Sequence, residues 1–287
     1  MSTQLLGLIQ LCRPKQWIKN SFVLAPLIFA GLFTHLHSVQ QAFIAMLLFC
    51  TASSATYILN DLKDIEKDRL HPVKSKTRPL AAGHVSVHAA KILLVVLYVL
   101  IIAAAFWQPA ICMILACYLL LNLAYSSYLK HQPVLDIFTI AIGFVLRVYA
   151  GAVALSVPVS SWMFITTLCL ALYLAAIKRR QELGTHGTTS RKALEGYSVG
   201  LLDRYAEMSA VGALLFYSIF VVSSRPELVL TIPLVIFGLF RYWYITDIQQ
   251  QGESPTDAIF SDLQLMLTGL AWVIACVYGV WSHSNVL

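Results

Sequence analysis

Charged side chains are scarce in this sequence. Asp, Glu, Lys and Arg make up 12% of its 287 residues, whereas hydrophobic residues make up 59% and the mean hydropathy is +0.74. A soluble domain carries about 25% charged residues. The composition therefore excludes an ordinary soluble globular protein. It indicates a polytopic membrane protein, because apolar runs of about 20 residues are long enough to cross a bilayer as helices.

Other familiar features are also missing. The six cysteines lack the spacing of a metal site, so we expect them to be inert core residues. The N-terminus lacks the order of a signal peptide, since its apolar residues precede its positive charges. The net charge of +6 does not indicate nucleic acid as a partner, because the basic residues border apolar segments and form no soluble patch interleaved with aromatics.

The apolar segments predict an all-α fold, a single integral-membrane domain over residues 1–287 with about nine transmembrane helices. Open sheets cannot span lipid, and these runs are too long and continuous for barrel strands. The segments near 208–223 are short and could form one broken hairpin. The predicted spans are 21–36, 39–60, 88–107, 109–128, 133–155, 160–178, 208–223, 227–245 and 263–282.

Lysine and arginine alternate between loops along the chain. They lie before the first span and in the loops after spans two, four and six, whereas the opposite loops carry only Arg225. Basic loops stay on the cytoplasmic side of a membrane. We therefore expect a multi-pass protein of the cell inner (plasma) membrane, with its N-terminus and its active-site loops in the cytoplasm.

The run from Asn60 to Asp68 is the main chemical signal. Asp61, Asp64 and Asp68 are three and four residues apart, which places them on one face of a helix. Such like charges repel, but Mg²⁺ with bound phosphate would turn the repulsion into a binding site. The alternative is a solvated helix end with neighbouring lysines. We favour a magnesium–diphosphate site, because Arg78 follows in a basic loop that could bind the remaining phosphate charge.

Further polar residues, apart from Arg147, fall near the same membrane face, and for the basic residues and tyrosines among them the alternative is an orientation charge or an interfacial residue. Lys15 and Lys19 are four residues apart, so they would share a helical face and reach a phosphate. Arg147 lies near mid-span and needs either a structural polar network or a role in a water-filled cavity. The other candidates are Tyr125, Tyr128 and Lys130 near span four, Asp136 at the start of span five, and Lys178, Arg179 and Glu182 at the end of span six.

These features converge on one class of mechanism. A magnesium ion and basic groups would hold a diphosphate and stabilise its charge as it leaves, so that a lipid reactant meets an electrophilic carbon beside the membrane. The residues do not say which carbon the diphosphate leaves. A transporter or lipid-binding protein is the alternative from another class, but it would need broken helices or charges through the bilayer centre.

At these residues the chain resembles the UbiA superfamily of intramembrane prenyltransferases, and the resemblance covers nearly the whole chain. It is carried by Asn60-Asp61-x-x-Asp64-x-x-x-Asp68, Arg78-Pro79-Leu80-Ala81-Ala82-Gly83 and Tyr125-x-x-Tyr128-x-Lys130. Five further blocks resemble the branch that transfers 5-phosphoribose from phosphoribosyl diphosphate to a polyprenyl phosphate of the decaprenyl type. They are Arg13–Asn20, Asp136–Gly151, Lys178–Glu182, Gly196–Ser198 and Gly252–Asp257.

The resemblance implies magnesium-dependent transfer of phosphoribose with release of diphosphate, in the synthesis of a cell-envelope polysaccharide precursor. It implies that Asp61, Asp64 and Asp68 ligate the metal and that Asn60 orients the metal shell or the ribose. The acceptor phosphate is already ionised, so a missing Ser/His/Asp or Cys/His constellation is no objection. A homo-oligomer is compatible with it. Phosphate contacts would come from Lys15, Lys19, Arg78, Lys130, Lys178 and Arg179, and ribose or cation contacts from Tyr125, Tyr128, Asp136 and Glu182.

One departure from the family bears on the donor. Aromatic prenyltransferases of this superfamily carry a second aspartate-rich motif after span six, where this chain has Lys178-Arg179-Arg180-Gln181-Glu182. The basic run disfavours a prenyl diphosphate and suits phosphoribosyl diphosphate, whose 5-phosphate needs cations. Prenyl transfer to an aromatic acid or another ring acceptor stays the alternative within enzymes.

Overall fold

The computed structural model describes residues 3–187, 192–248, 258 and 261–284. In these ranges all regular structure is helical, which confirms the all-α prediction. The resemblance block Gly252–Asp257 lies outside them. The helices are α1 (Thr3–Leu11), α2 (Ala25–Phe29), α3 (Leu36–Lys63), α4 (Ile65–Leu70), α5 (Lys74–Thr77), α6 (Val87–Ala105), α7 (Pro109–Ser127), α8 (Leu135–Ala154), α9 (Ser161–His186), α10 (Val199–Ser224), α11 (Ile232–Asp247) and α12 (Leu263–Ser284). Shorter 3-10 helices cover Pro14–Leu24, Leu32–Thr34, Leu129–His131, Lys192–Gly196 and Pro226–Thr231.

Eight segments of the described chain are long and apolar enough to cross a membrane. They correspond to the predicted spans from 39–60 onward, and the protein is a multi-pass membrane protein. The broken hairpin considered for 208–223 is wrong, because α10 is a continuous helix of 26 residues. Ser198 caps its start, where the hydroxyl accepts a hydrogen bond from the Leu201 N–H at 3.2 Å.

The first predicted span, 21–36, is not one long helix but a series of short 3-10 and α-helical pieces. It nevertheless runs between the two ends of the bundle. At one end, Arg13 pairs with Asp61 in the last turn of α3. At the other, the Phe29 carbonyl accepts a hydrogen bond from Arg225, which follows α10. The segment is therefore a discontinuous crossing, which is why eight long helices replace the nine predicted.

Close packing holds this discontinuous crossing against α8. A Cβ at Gly151 would collide with the carbonyl of Val23, so glycine is needed where the two backbones meet. Gly31, between α2 and the 3-10 helix Leu32–Thr34, has φ of 73°, a left-handed conformation that glycine adopts readily. Glycines at two positions therefore let the chain cross in this form.

Two aromatic clusters fill the interior of the bundle. Phe49 and Tyr118 join α3 to α7, with ring centroids 5.2 Å apart in an edge-to-face arrangement. Tyr173 and Tyr242 join α9 to α11 in the same manner at 5.8 Å. Such pairs stabilise a core by about 0.5–1.5 kcal/mol beyond the area they bury. The first cluster thus packs α3 against α7 and the second packs α9 against α11, and three of these helices carry candidate residues.

One end of the bundle, which we call the charged end, gathers the candidate residues. Helices α3, α7 and α9 finish there and α8 begins there. Ser126 near the end of α7 donates a hydrogen bond to Asn60 in α3 at 2.8 Å. Arg179 near the end of α9 binds Asp136 at the start of α8 at 2.6 Å. The loops that carry lysine and arginine after α3, α7 and α9 thus lie at the same end of the bundle. That this end faces the cytoplasm stays a prediction.

Candidate active site

The aspartate run does not form one continuous helix. Helix α3 ends at Lys63, and Asp64 has φ of −98° and ψ of 8° before α4 begins. Asp61 therefore lies in the last turn of α3, whereas Asp68 lies in α4, and both are buried while Asp64 is half-buried. The prediction that one helical face presents all three carboxylates is wrong, because the break at Asp64 changes the direction of the chain.

Arg78 joins the two buried aspartates. Its Nη1 atom donates to Asp61 Oδ1 at 2.8 Å and also to Asp68 Oδ2. Arg13 donates to the same Asp61 oxygen at 2.6 Å, and Lys74 Nζ lies 3.9 Å from Asp68. The structure thus brings Arg78 directly to the aspartates, and phosphate binding by Arg78 stays a prediction. It adds two cations that the sequence did not assign to the site.

The loop that carries Arg78 is built by its own motif. Arg78 is extended, as expected for a residue before proline. Leu80 is buried in a cluster with Leu11 and Ile58, which anchors the loop on α1 and α3. Gly83 then turns the chain with φ of 75°. The apolar anchor and the glycine turn leave the Arg78 guanidinium directed at the aspartates.

Arg13 reaches Asp61 from the short segment between α1 and the 3-10 helix Pro14–Leu24. Its backbone has φ of 51° and ψ of 61°, a left-handed conformation that costs a non-glycine residue roughly 1–2 kcal/mol. Its guanidinium also lies over the ring of Tyr57, 4.8 Å from the centroid. Residues held in such conformations cluster at functional sites. The sequence gives Arg13 only as the first residue of a resemblance block and does not single it out as a partner of Asp61.

A cavity of about 510 Å³ opens beside Asp61. We call it the charged pocket. Its positive side chains outnumber its single carboxylate, so it suits an anion with several charges. It is lined by Gln10, Arg13, Asp61, Lys76, Thr77, Arg78, Pro79 and His84.

The donor set of the aspartates fits a divalent metal. In the described residues no group of three or more His, Cys, Asp or Glu side chains is arranged to hold a metal ion. However, Asp61 and Asp68 converge on one cationic nitrogen of Arg78, so a positive charge already lies between two carboxylates. Mg²⁺ prefers one or two carboxylates together with substrate phosphates. These two side chains could therefore hold Mg²⁺ once Arg78 turns to a phosphate.

A second polar network joins α7, α8 and α9. Arg179 donates from Nε to Asp136 at 2.6 Å, from Nη1 to Glu182 at 2.8 Å and from Nη2 to the Tyr125 hydroxyl at 3.0 Å. Tyr197 donates to the other Asp136 oxygen at 2.7 Å, and burial raises the pKa of Tyr197, so its hydroxyl stays neutral. Four predicted residues thus meet, but Arg179 is 1% exposed with all three nitrogens engaged. This arrangement speaks against a phosphate contact by Arg179.

Arg147 lies in a buried network of its own. Its Nε donates to Asn20 at 2.8 Å, Nη1 to the Gly143 carbonyl at 2.7 Å and Nη2 to the Tyr118 hydroxyl at 3.3 Å. Its guanidinium also lies 5.1 Å from the centroid of the Phe144 ring. Of the two alternatives for Arg147, the geometry favours the structural network. Sequence reasoning missed Asn20, the partner that joins the discontinuous crossing to α8.

The predicted pair of Lys15 and Lys19 does not share a helical face. Both lie in the 3-10 helix Pro14–Leu24, which has about three residues per turn, so residues four apart point about 120° away from each other. Lys15 is exposed and Lys19 is half-buried. Neither lines the charged pocket.

The remaining candidates lie around the charged end without lining the charged pocket. Tyr128 is exposed, whereas Lys130 and Lys178 are half-buried. Arg180, which follows Arg179, pairs with Asp203 at 2.5 Å and with Asp247 at 2.6 Å. The basic run after span six therefore uses both of its arginines to join helices.

The expectation that the cysteines are core residues holds for Cys50, Cys112 and Cys276, which are buried, whereas Cys12 and Cys169 are half-buried and Cys117 is exposed. All six are free thiols. Burial raises the pKa of Cys12, which follows α1, so this thiol stays protonated and is a poor nucleophile.

The chain is similar over most of its length to proteins of one family. A model described as the UbiA prenyltransferase family matches residues 23–265. The decaprenyl-phosphate phosphoribosyltransferase of Corynebacterium glutamicum is 33% identical, over 96% of this chain and 87% of that protein. The protein of the same name from Mycolicibacterium smegmatis is 35% identical, over 93% of this chain and 90% of that protein.

Solved structures share the fold. A UbiA homolog from Archaeoglobus fulgidus, bound to GPP and Mg²⁺, superimposes with a TM-score of 0.72 at 20% identity, covering 95% of this chain and 98% of that chain. Digeranylgeranylglyceryl phosphate synthase superimposes with a TM-score of 0.66 at 15% identity, covering 96% of this chain and 99% of that chain. At these identities the likeness shows the fold alone.

Proposed function

The chain belongs to the UbiA prenyltransferase family, and we propose that this enzyme transfers 5-phosphoribose from phosphoribosyl diphosphate to a polyprenyl phosphate. Diphosphate is the second product. Family membership assigns the chain to the transferases that act on prenyl-phosphate substrates, and two relatives similar over most of the chain are named as phosphoribosyltransferases. We also propose that the donor is phosphoribosyl diphosphate, that the metal is Mg²⁺ and that the active site faces the cytoplasm.

The observation that carries the proposal is the excess of positive charge in the charged pocket. Arg13, Lys76 and Arg78 line it together with one carboxylate, Asp61. Phosphoribosyl diphosphate brings a diphosphate and a separate 5-phosphate, so it needs more cations than a prenyl diphosphate, whose remaining part is apolar. Arginine suits both phosphate groups, because its planar guanidinium binds them in a bidentate manner.

Binding of the donor changes the ion pairs of the pocket. Arg78 neutralises Asp61 and Asp68 in the arrangement seen here. Donor phosphates compete for the guanidinium groups of Arg13 and Arg78, which frees the two carboxylates. Mg²⁺ held by Asp61 and Asp68, with Asp64 as a further carboxylate, would neutralise the diphosphate as it leaves. Asn60, next to Asp61, stays a candidate for orienting the ribose.

The transfer itself needs no strong base. An oxygen of the acceptor phosphate forms a bond to C1 of the ribose, the bond between C1 and the diphosphate oxygen breaks, and its electron pair leaves with diphosphate. The acceptor is already an anion near neutral pH. Arg13, Lys76 and Arg78 lower the barrier by stabilising the charge that develops on the leaving group.

We place the charged end in the cytoplasm, with the protein in the plasma (inner) membrane. Basic loops stay on the cytoplasmic side, and phosphoribosyl diphosphate is water-soluble, so the pocket must open to the compartment that contains it. The acceptor is a lipid and reaches the enzyme from the bilayer. The product would serve as a precursor of cell-envelope polysaccharide.

A donor swap on the purified protein with Mg²⁺ tests the proposal. One reaction receives labelled phosphoribosyl diphosphate and polyprenyl phosphate, and the other receives labelled prenyl diphosphate and 4-hydroxybenzoate. We expect label in the lipid phase in the first reaction and no prenylated product in the second. Product in the second reaction alone would reassign the enzyme to aromatic prenyl transfer.

A further inference from the structure

A second cavity, of about 220 Å³, lies between α3, α6 and α7. We call it the lateral groove. Its residues on α3 and on α7 each follow helical spacings of three and four, so one continuous face of each helix forms a wall. It is lined by Thr56, Leu59, Asn60, Lys63, Tyr98, Leu119, Leu120, Asn122, Leu123 and Ser126.

The lateral groove changes from apolar to polar along its length. Leu119 and Tyr98 lie toward the middle of α7 and α6, whereas Lys63 is the last residue of α3 and Ser126 the last but one of α7. Ser126 and Asn60 are hydrogen-bonded to each other at 2.8 Å, which fixes the polar part at the charged end. A ligand that fits this gradient has a polar head at the membrane surface and an apolar chain in the bilayer.

Lys63 indicates that the polar head of the ligand carries negative charge. It is exposed and lines the groove, and in the described part of the chain it makes no ion pair. An ammonium group beside an apolar groove at a membrane surface attracts an anionic lipid headgroup. The Leu120 and Leu123 side chains are exposed on the outside of the helices, so the groove opens sideways to lipid. A lipid phosphate can therefore enter from the bilayer without crossing water.

We infer that the lateral groove binds the polyprenyl phosphate acceptor, with its phosphate beside Lys63 and Asn60 and the first part of its chain along Leu119 and Leu123. This inference rests on the proposed function and adds the acceptor site to it. Asn60 lines the lateral groove, whereas its neighbour Asp61 lines the charged pocket. The acceptor and the donor thus approach the end of α3 from different sides.

Lipid binding in the absence of any donor tests this inference directly. The probe is polyprenyl phosphate added to the purified protein in detergent, with the uncharged polyprenol and inorganic phosphate as comparisons. Leu123→Trp fills the apolar part of the groove, and Lys63→Gln removes its charge. The matched controls are Leu215→Trp, since Leu215 and Leu123 are each 53% exposed on a membrane helix, and Lys67→Gln, an exposed lysine outside the groove.

We expect Lys63→Gln to weaken binding of polyprenyl phosphate about fivefold, which corresponds to about 1 kcal/mol, and to leave polyprenol unchanged. Leu123→Trp should weaken the binding of both polyprenyl phosphate and polyprenol at least about fivefold. The controls Leu215→Trp and Lys67→Gln should not change the binding of either lipid. Millimolar inorganic phosphate should not displace the lipid. In turnover, the KM for the acceptor should rise while the KM for phosphoribosyl diphosphate stays constant.

Unchanged lipid binding in both groove variants would overturn the inference, as would an equal loss in Leu215→Trp. Full displacement by inorganic phosphate would also overturn it, because the apolar chain would then contribute nothing. Failure of the proposed function looks different: the wild-type protein would bind polyprenyl phosphate in a Lys63-dependent manner yet transfer no phosphoribose to it.

Discussion

Arg179 donates a hydrogen bond to Asp136 at 2.6 Å, and this ion pair joins the end of α9 to the start of α8. Both side chains are almost completely buried, at 1% and 0% exposure. A buried charge without its partner is costly, whereas the pair together is tolerated. The pair therefore fixes how the end of α9 packs against the start of α8, although the two residues are 43 positions apart in the sequence.

Asp136→Ala should destabilise the protein by about 3 kcal/mol or more, because it removes one of the two carboxylates that pair with the buried Arg179 and leaves the Arg179 Nε and the Tyr197 hydroxyl without this acceptor. The thermal unfolding midpoint in detergent measures this loss. Asp203→Ala is the matched control, since it removes a carboxylate from the neighbouring Arg180 where both partners are partly exposed. Exposed pairs contribute about 0–1 kcal/mol. Equal midpoints for the two variants would contradict the importance of burial.

Asp61→Asn should reduce magnesium-dependent turnover about 100-fold or more while the protein stays folded. The asparagine oxygen can still accept hydrogen bonds from Arg13 and Arg78, but it no longer supplies negative charge to a metal. A 100-fold loss corresponds to about 2.7 kcal/mol of transition-state stabilisation. Initial rates at saturating Mg²⁺ give the measurement.

Glu66→Gln is the control for Asp61→Asn. Glu66 belongs to the same acidic run, but it is exposed and pairs with Arg69 three residues on. Its turnover should equal that of the wild type. If Asp61→Asn were as active as this control, the assignment of Asp61 to the metal and diphosphate would be wrong.

Much of the fold could be predicted from hydropathy alone, because length and apolarity decide whether a segment crosses a membrane. The predicted spans from 39–60 onward correspond to helices. The first span was predicted as a regular helix, yet its path depends on Val23 packing against Gly151. Val23 and Gly151 are 128 positions apart in the sequence, so no local sequence pattern predicts their contact.

The candidate site was predictable in part for a similar reason. The acidic run and Arg78 lie close in sequence, and the structure joins them through Asp61 and Asp68. A basic residue near a membrane span, by contrast, looks the same whether it orients the protein, pairs with a buried acid or binds phosphate. Arg13 and Arg179 both belong to this ambiguous class, and only the three-dimensional contacts show that Arg13 pairs with Asp61 and Arg179 with Asp136.

Gly151→Ala should destabilise the contact between the discontinuous crossing and α8, because the added Cβ would overlap the Val23 carbonyl. Overpacking of this kind costs about 1–3 kcal/mol. Gly269→Ala is the control, since Gly269 lies within α12 and no atom is within 4 Å of the added Cβ. That control should be neutral or stabilise the helix by up to about 1 kcal/mol. Thermal midpoints of the two variants should move apart, and a common shift would contradict the packing argument.

Arg13→Gln should raise the KM for phosphoribosyl diphosphate about tenfold and leave the KM for polyprenyl phosphate unchanged. Arg13 lines the charged pocket but not the lateral groove. Charge-assisted hydrogen bonds contribute about 1.5–3 kcal/mol, and 1.4 kcal/mol corresponds to a factor of ten. Arg69→Gln, an exposed arginine paired with Glu66, should change neither constant. Steady-state kinetics with each substrate varied in turn separates the two sites. An equal rise in both constants would mean that Arg13 supports the fold of the charged end and does not bind the donor.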